Sequence, residues 1–183
     1  MSRKYKFVDQ TELYFTTSSV IYWIDAFTRT EYKDILVESL RYCQQEKDLN
    51  SHAWCLMTDH LHLIISTRGR RMEETLRDTK QFTVKRILAA IEENPVEGRK
   101  EWLLWMFERA GQKKAGNDKY QFWQHDNHPV VLFTPPIMQQ KLDYLHNNPV
   151  KAGFVCHPEE WLYSSVKNYY TTEMPLLEVM LLV

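Results

Sequence analysis

Two short segments hold side chains that can do chemistry together. His60-Leu61-His62 opens a strictly alternating stretch that runs to Ser66. Side chains two apart on a strand point the same way, so His60, His62 and Ile64 share one face while Leu61, Leu63 and Ile65 line the other. Two imidazoles then converge on one point, and neutral imidazole is the commonest metal ligand. A pair of structural histidines is the plain alternative. The second segment is Leu142-Asp143-Tyr144-Leu145-His146-Asn147-Asn148-Pro149. On a helix Tyr144 and Asn148 lie one above the other, with Leu142 and Leu145 pointing elsewhere. A phenol and an amide oxygen can thus be offered to one site, the alternative being a buried tyrosine beside a helix-ending Asn-Pro.

Joined, the two segments define a reaction. A metal held by His60, His62 and the amide oxygen of Asn148 would keep positions open for a phosphate, and Tyr144, one helical turn away, could attack the phosphorus. Tyrosine ionises near pH ~10, so the metal must polarise the phosphate or stabilise the phenolate. The product is a phosphotyrosine ester, which conserves the bond and lets the strand be rejoined elsewhere. By softness the donor set suits Mn²⁺, Zn²⁺ or Fe²⁺, and phosphoryl transfer favours Mg²⁺ or Mn²⁺. On this reading both imidazoles serve coordination rather than core packing. A hydrolase using metal-activated water, with Tyr144 structural, would leave a free 5′-phosphate instead.

Charge says where DNA could touch. With 23 basic and 24 acidic side chains among 183 residues, the chain is not broadly basic, so a nucleic-acid contact needs a local patch. The one dense basic stretch is Arg68, Arg70 and Arg71, followed by Arg77, Lys80, Lys85 and Arg86. It stands directly after the histidine strand in sequence and reads either as a phosphate track or as a solvated face. Lys113, Lys114 and Lys119 form a second choice. His125 and His128 flank a turn and read either as structural or as contacts to DNA or metal, and His146 points off the Tyr144 face as a packing or DNA-facing residue. Aromatics at 13% exceed what a core of this size requires, which leaves some for recognition.

The elements that must position these residues follow from periodicity. Glu12 to Trp23 reads as a strand, Phe27 to Asp48 as a helix, and Ala53 to Met57 and His60 to Ser66 as a hairpin turning at Thr58 and Asp59. Met72 to Ile91 is a second helix ending at Asn94 and Pro95. Strand, helix, two strands, helix predicts an α+β, ferredoxin-like antiparallel sheet with its helices on one face. A Trp-rich helix then runs into a Gly, Lys and Asn loop. Tyr120 to Gln124 and Val130 to Phe133 suggest a short hairpin about Asp126 and Asn127. Thr134, Pro135 and Pro136 cap a helix through Asn147 that Pro149 terminates. Trp161, Tyr163 and Tyr169 pack the C-terminal segment onto the sheet, and the apolar tail Leu176 to Val183 buries as an edge strand or against a partner. The whole reads as one domain, with a core over 13–170 and a tail over 171–183. Cys43, Cys55 and Cys156 show no C-x-x-C spacing and fit a reducing cytoplasm. No apolar run suits a signal peptide or a membrane span.

The motifs also carry a resemblance. His60-Leu61-His62 followed by Tyr144-Leu145-His146-Asn147-Asn148-Pro149-Val150-Lys151-Ala152-Gly153 resembles the single-tyrosine HUH transposases of insertion sequences, most closely their REP-associated (RAYT) branch. Trp23 to Arg29, Gln121 to His128 and Trp161-Leu162-Tyr163-Ser164-Ser165 extend the likeness, which spans about 13–170. It implies Tyr144 as nucleophile, His60, His62 and Asn148 as ligands of Mg²⁺ or Mn²⁺, and strand-specific cutting near the foot of single-stranded or hairpin DNA formed by REP-like palindromes. It further implies a bacterial cytoplasmic protein acting as monomer or homodimer. A domesticated hairpin-binding protein that no longer cuts is the rival within the same resemblance. One departure stands out: the family usually carries Pro-Asn before the first histidine, and Thr58-Asp59 stand here, adding a negative charge beside the metal.

Overall fold

The alternating strand that carries the two histidines lies inside the sheet, with another strand registered against each of its edges. The computed structural model describes residues 7, 10, 12–113, 119–125 and 129–182. Its sheet comprises β1 (Tyr14–Ser19), β2 (Leu49–Leu56), β3 (His60–Thr67) and β4 (Val130–Val131), all antiparallel, in the order β2-β3-β1-β4. That is the ferredoxin-like order, with β3 slotted between β1 and β2. The histidine strand is therefore paired on both sides, which fixes its side chains more firmly than an edge position would.

Alternation sorts the side chains as the pattern requires. Leu61, Leu63 and Ile65 face a core shared with Tyr32, Leu36 and Leu40 of α1 (Thr30–Glu46) and Leu76 and Ile87 of α2 (Met72–Glu93). Burying each such side chain contributes roughly 1.5 to 3 kcal/mol. α3 (Lys100–Gln112) adds Leu103 and Phe107 to this layer. Ile64, Phe15, Ala53 and Cys55 point to the opposite face, where Leu142 and Leu145 of α4 (Pro135–His146) cover them. Thus α1 and α2 occupy one face as the layout demands, and α4 seals part of the other, which is the face that bears His60 and His62.

Several local boundaries differ from the periodicity. β1 ends at Ser19 rather than running to Trp23, because Ile21–Trp23 turns as a 3₁₀ segment with Tyr22 at φ 56° and Trp23 at φ 52°. Tyr120–Gln124 and Val130–Phe133 do not form a hairpin with each other. Both address β1 instead: Trp123 bridges to Val20, and Val130 and Val131 pair with Phe15 and Tyr14. A free strand edge on β1 offers more hydrogen bonds than two short segments can offer one another. The intervening Asp126, Asn127 and His128, together with Lys114, lie outside the described residues.

α4 begins as its sequence dictates, with Thr134 Oγ1 accepting from Ile137 N at 3.4 Å and prolines in the first turn. Pro149 does not end the helical path. After Asn147 a further turn, α5 (Asn148–Lys151), starts afresh with Pro149 in its first turn, where its missing N–H costs no hydrogen bond. Gly153 at φ 76° closes that turn, its N–H bonded to Val150 O.

The C-terminal segment packs as expected. Trp161 Nε1 donates to Leu56 O, Tyr163 OH to Asp34 and Tyr169 OH, from α6 (Val166–Tyr170), to His52 O. Leu56 N donates to Tyr163 O and Ser165 N to Trp54 O, so this segment lines the open edge of β2. Further along the same edge, Met180 N donates to Ser51 O, and Leu177 is buried in the main core. The tail therefore docks on its own chain through Leu177 and the edge of β2, without forming a regular strand and with Met180 and Leu181 left exposed. Among the described residues no helix is long and apolar enough to cross a membrane.

Candidate active site

His60 and His62 project from the start of β3 with ring centroids 4.7 Å apart. His62 is 3% exposed and held on three sides. Phe15 stacks on its ring at 5.3 Å, Thr17 Oγ1 lies 2.9 Å from Nδ1, and the side-chain amide of Asn148 lies 3.1 Å from Nε2. Thr17 is the cross-strand register partner of His62 on β1. Taken together, these contacts assign Nδ1–H as donor to the Thr17 hydroxyl and leave the Nε2 lone pair facing Asn148. Burial pushes the His62 pKa down to about 3, helped by the neighbouring His60 and Lys141, so the ring is neutral at physiological pH.

At the hairpin turn Asp59 touches the first histidine directly. The Asp59 carboxylate accepts from His60 Nδ1, and its charge is thereby directed at the imidazole. With Nδ1 engaged, Nε2 is the nitrogen left for a ligand, the usual carboxylate–histidine arrangement behind metal-binding imidazoles.

Tyr144 comes from α4 on the same face. Its ring sits 5.3 Å from His62 and 5.9 Å from Phe15, with 39% of the residue exposed. Lys141 Nζ lies 5.6 Å and Lys151 Nζ 5.4 Å from the Tyr144 ring centroid. Tyr144, His60, His62 and Asn148 are thus brought together across β3, α4 and α5. Their environment fits a divalent cation: a neutral buried imidazole with its lone pair inward, a second imidazole backed by a carboxylate, and an amide whose nitrogen now faces His62 Nε2 and whose oxygen would take that place on rotation about the Cβ–Cγ bond. Among the described residues no group of three or more His, Cys, Asp or Glu side chains is placed to hold a metal ion, so the amide is essential to any such donor set.

The basic stretch is placed differently. Arg68 begins the turn beyond the far end of β3, about 20 Å from His62 at ~3.3 Å per strand residue. Arg70 pairs with Asp78 at 2.9 Å and Glu74 at 3.6 Å, Arg68 with Asp48 at 3.8 Å and Arg71 with Glu73 at 3.9 Å. Arg77 also reaches Asp78, Arg86 pairs with Glu38, and Lys80 lies 5.8 Å from the Trp123 ring centroid. Lys85 lies on the same helix. The cations nearest Tyr144 are Lys141 and Lys151, which sequence reasoning did not single out. For Lys141 the available signal was its spacing three residues before Tyr144. His146 is 2% exposed, with Nε2 2.9 Å from Ser165 Oγ and its ring against Tyr169 and Tyr170. It is a packing residue, and burial lowers its pKa to about 4.

No protein-family profile matches the chain, and no curated protein does. Among solved structures it is similar to a REP-associated tyrosine transposase bound to a REP hairpin, with a TM-score of 0.65, 15% identity and full coverage of both chains. A second match, a putative transposase from Deinococcus radiodurans, has a TM-score of 0.46, 16% identity and coverage of 80% of this chain and 97% of that one. The chain has the fold of the REP-associated transposase, the fold its motifs imply.

Proposed function

We propose that this protein is a single-stranded DNA transposase that cleaves and rejoins hairpin-forming DNA through a 5′-phosphotyrosine on Tyr144. The observation that carries the reading is the convergence of Tyr144, His62 and Asn148 on one point, flanked by two lysine ammonium groups. His60, His62 and Asn148 would hold the cation, Mg²⁺ or Mn²⁺. When bound it would polarise the scissile phosphate and offset charge developing on its oxygens.

The chain's own residues do the rest. Tyr144 Oη forms a bond to phosphorus while the bond from phosphorus to the 3′ oxygen breaks; the phenol loses a proton and the departing 3′ oxygen gains one. No water is consumed, so a 3′-hydroxyl can reverse the step and rejoin a strand. Lys141 and Lys151 position the phosphate over the ring, and Thr17 and Asp59 keep both imidazoles in one tautomer. The solved neighbour is bound to a REP hairpin, which supports a hairpin substrate here. On such a stem, phosphates about six base pairs from the cut fall at the distance of Arg68, Arg70 and Arg71, at ~3.4 Å per step. Arg77, Lys80, Lys85 and Arg86 lie on α2, which covers the face of the sheet opposite Tyr144, and are left off this track.

The test is a hairpin oligonucleotide labelled on the 5′-phosphate side of the cut, incubated with protein and Mn²⁺ and run on a denaturing protein gel. Label migrating with the protein, and absent for Tyr144→Phe, supports the proposal. A free 5′-phosphate product would replace it with hydrolysis by water, and binding without cleavage would replace it with a silent hairpin-binding protein.

A further inference from the structure

Between β1 and α1 the backbone does something costly with no return in the core. Tyr22 and Trp23 occupy successive left-handed conformations, φ 56° and 52°, which bulky side chains rarely adopt and which persist where surrounding structure enforces them. The rings stay out of the buried core: Trp23 is 66% exposed and Tyr22 40%. The turn itself is pinned on both sides. Val20 N donates to Asp59 O at 2.7 Å and Phe27 N to Thr58 O at 2.8 Å, so it is bolted to the same hairpin turn that presents His60. A cation accompanies the rings, with Lys113 Nζ 5.6 Å from the Tyr22 ring centroid and 3.4 Å from its hydroxyl.

We infer that Tyr22 and Trp23, with Lys113, form a stacking platform for unpaired bases of the DNA strand next to the site of cleavage. This inference rests on the DNA-processing reading and names where that strand lies. Nucleobases are the fitting occupant because exposed aromatic rings beside an ammonium group suit a ligand that alternates flat π-faces with phosphate charges. Register gives the location: Ser19, three residues before Tyr22, is the cross-strand partner of His60. A strand whose phosphate reaches Tyr144 and His62 thus has its neighbouring nucleotides within reach of this turn.

Binding of a fluorescent hairpin carrying single-stranded flanks is compared with that of the same hairpin made blunt. Trp23→Ala should weaken the flanked hairpin about ten-fold, within the range for loss of one base–aromatic stack, and leave the blunt hairpin unchanged. The salt dependence of binding should keep its slope, since no phosphate contact is lost. Trp23→Phe, which keeps a ring, should retain most of the affinity and checks that the loss is not a folding defect. Equal losses on both hairpins, unchanged binding of the flanked one, or a flattened salt slope would overturn the platform. Failure of covalent attachment to Tyr144 would instead count against the phosphotyrosine reading alone, because the platform is read by equilibrium binding.

Discussion

Thr17 on β1 and His62 on β3 face one another across the sheet, hydroxyl to Nδ1, at 2.9 Å. That contact decides which ring nitrogen of a buried, neutral imidazole looks into the candidate site. Thr17→Val keeps the shape and deletes the hydroxyl, leaving His62 Nδ1 unpaired at a cost of about 1 to 3 kcal/mol in stability. Metal affinity should fall ~10- to 100-fold, as is typical when the partner of a metal-bound histidine is lost. Calorimetric titration with Mn²⁺ checks this; unchanged affinity would show that Thr17 does not set the tautomer.

The two histidines should differ when removed. The sequence reading treats both as ligands outside the core, yet His62 is nearly fully buried against Phe15 and Tyr144 while His60 is partly exposed. Without added metal, His62→Ala should lower unfolding stability by about 2 to 3 kcal/mol through the cavity it leaves. His60→Ala should cost under about 1 kcal/mol, and both should abolish cleavage. Denaturant unfolding in chelator separates the cases, and equal effects would contradict the asymmetric burial.

A third prediction concerns acid stability. Glu97 is buried between α2 and α3, accepting from Arg29 Nε at 2.8 Å, the Arg99 backbone N–H at 3.0 Å and Tyr32 OH at 3.3 Å. Burial alone would raise its pKa, but the Arg99 backbone N–H and the Arg29 and Arg99 side chains hold it below the usual 4.5. A carboxyl depressed in the folded state stabilises above its unfolded value, and that stability is lost as pH falls through the folded one. Unfolding free energy should therefore drop below about pH 4.5. Glu97→Gln should lower stability by about 1 to 2 kcal/mol at pH 7 and shrink the acid-induced loss. An identical pH profile in the variant would assign the acid sensitivity elsewhere.

How much of this was legible depended on whether the signal was local. Strict alternation gives the faces of β3, and the four-residue spacing of Tyr144 and Asn148 survives the restart at Asn147 because that residue stays near helical geometry. Thr134 and its prolines mark a helix start from chemistry within four residues. Thr17 and Phe15 escaped because their role comes from the β1–β3 register, which periodicity does not encode. The basic stretch illustrates the converse. Adjacent to His62 in sequence, it is carried to the opposite end of β3 by the extended rise of the strand itself. Trp23 was misread as strand because nothing local announces that a tryptophan will take positive φ.

The last prediction separates the two groups of cations. Lys141 and Lys151 stand over Tyr144, whereas Arg68, Arg70 and Arg71 lie about 20 Å along the strand and each already has a carboxylate partner. Losing one phosphate contact should flatten the dependence of log affinity on log salt by about 0.7 to 0.9. Replacing both lysines with glutamine should therefore lower the slope by about 1.4 to 1.8 on any hairpin, and it should also slow covalent attachment because the phosphate is no longer positioned. The triple arginine-to-glutamine variant should flatten the slope only on stems longer than about six base pairs, with sequence preference kept, since phosphate contacts position without reading bases. Its loss per residue should fall short of the lysines', because each arginine must first leave Asp48, Glu73 or Asp78. A slope that responds equally on short and long stems would place these arginines on the DNA near the cut, against the geometry of β3. No response on either would leave them as the solvated, carboxylate-paired turn that their ion pairs describe.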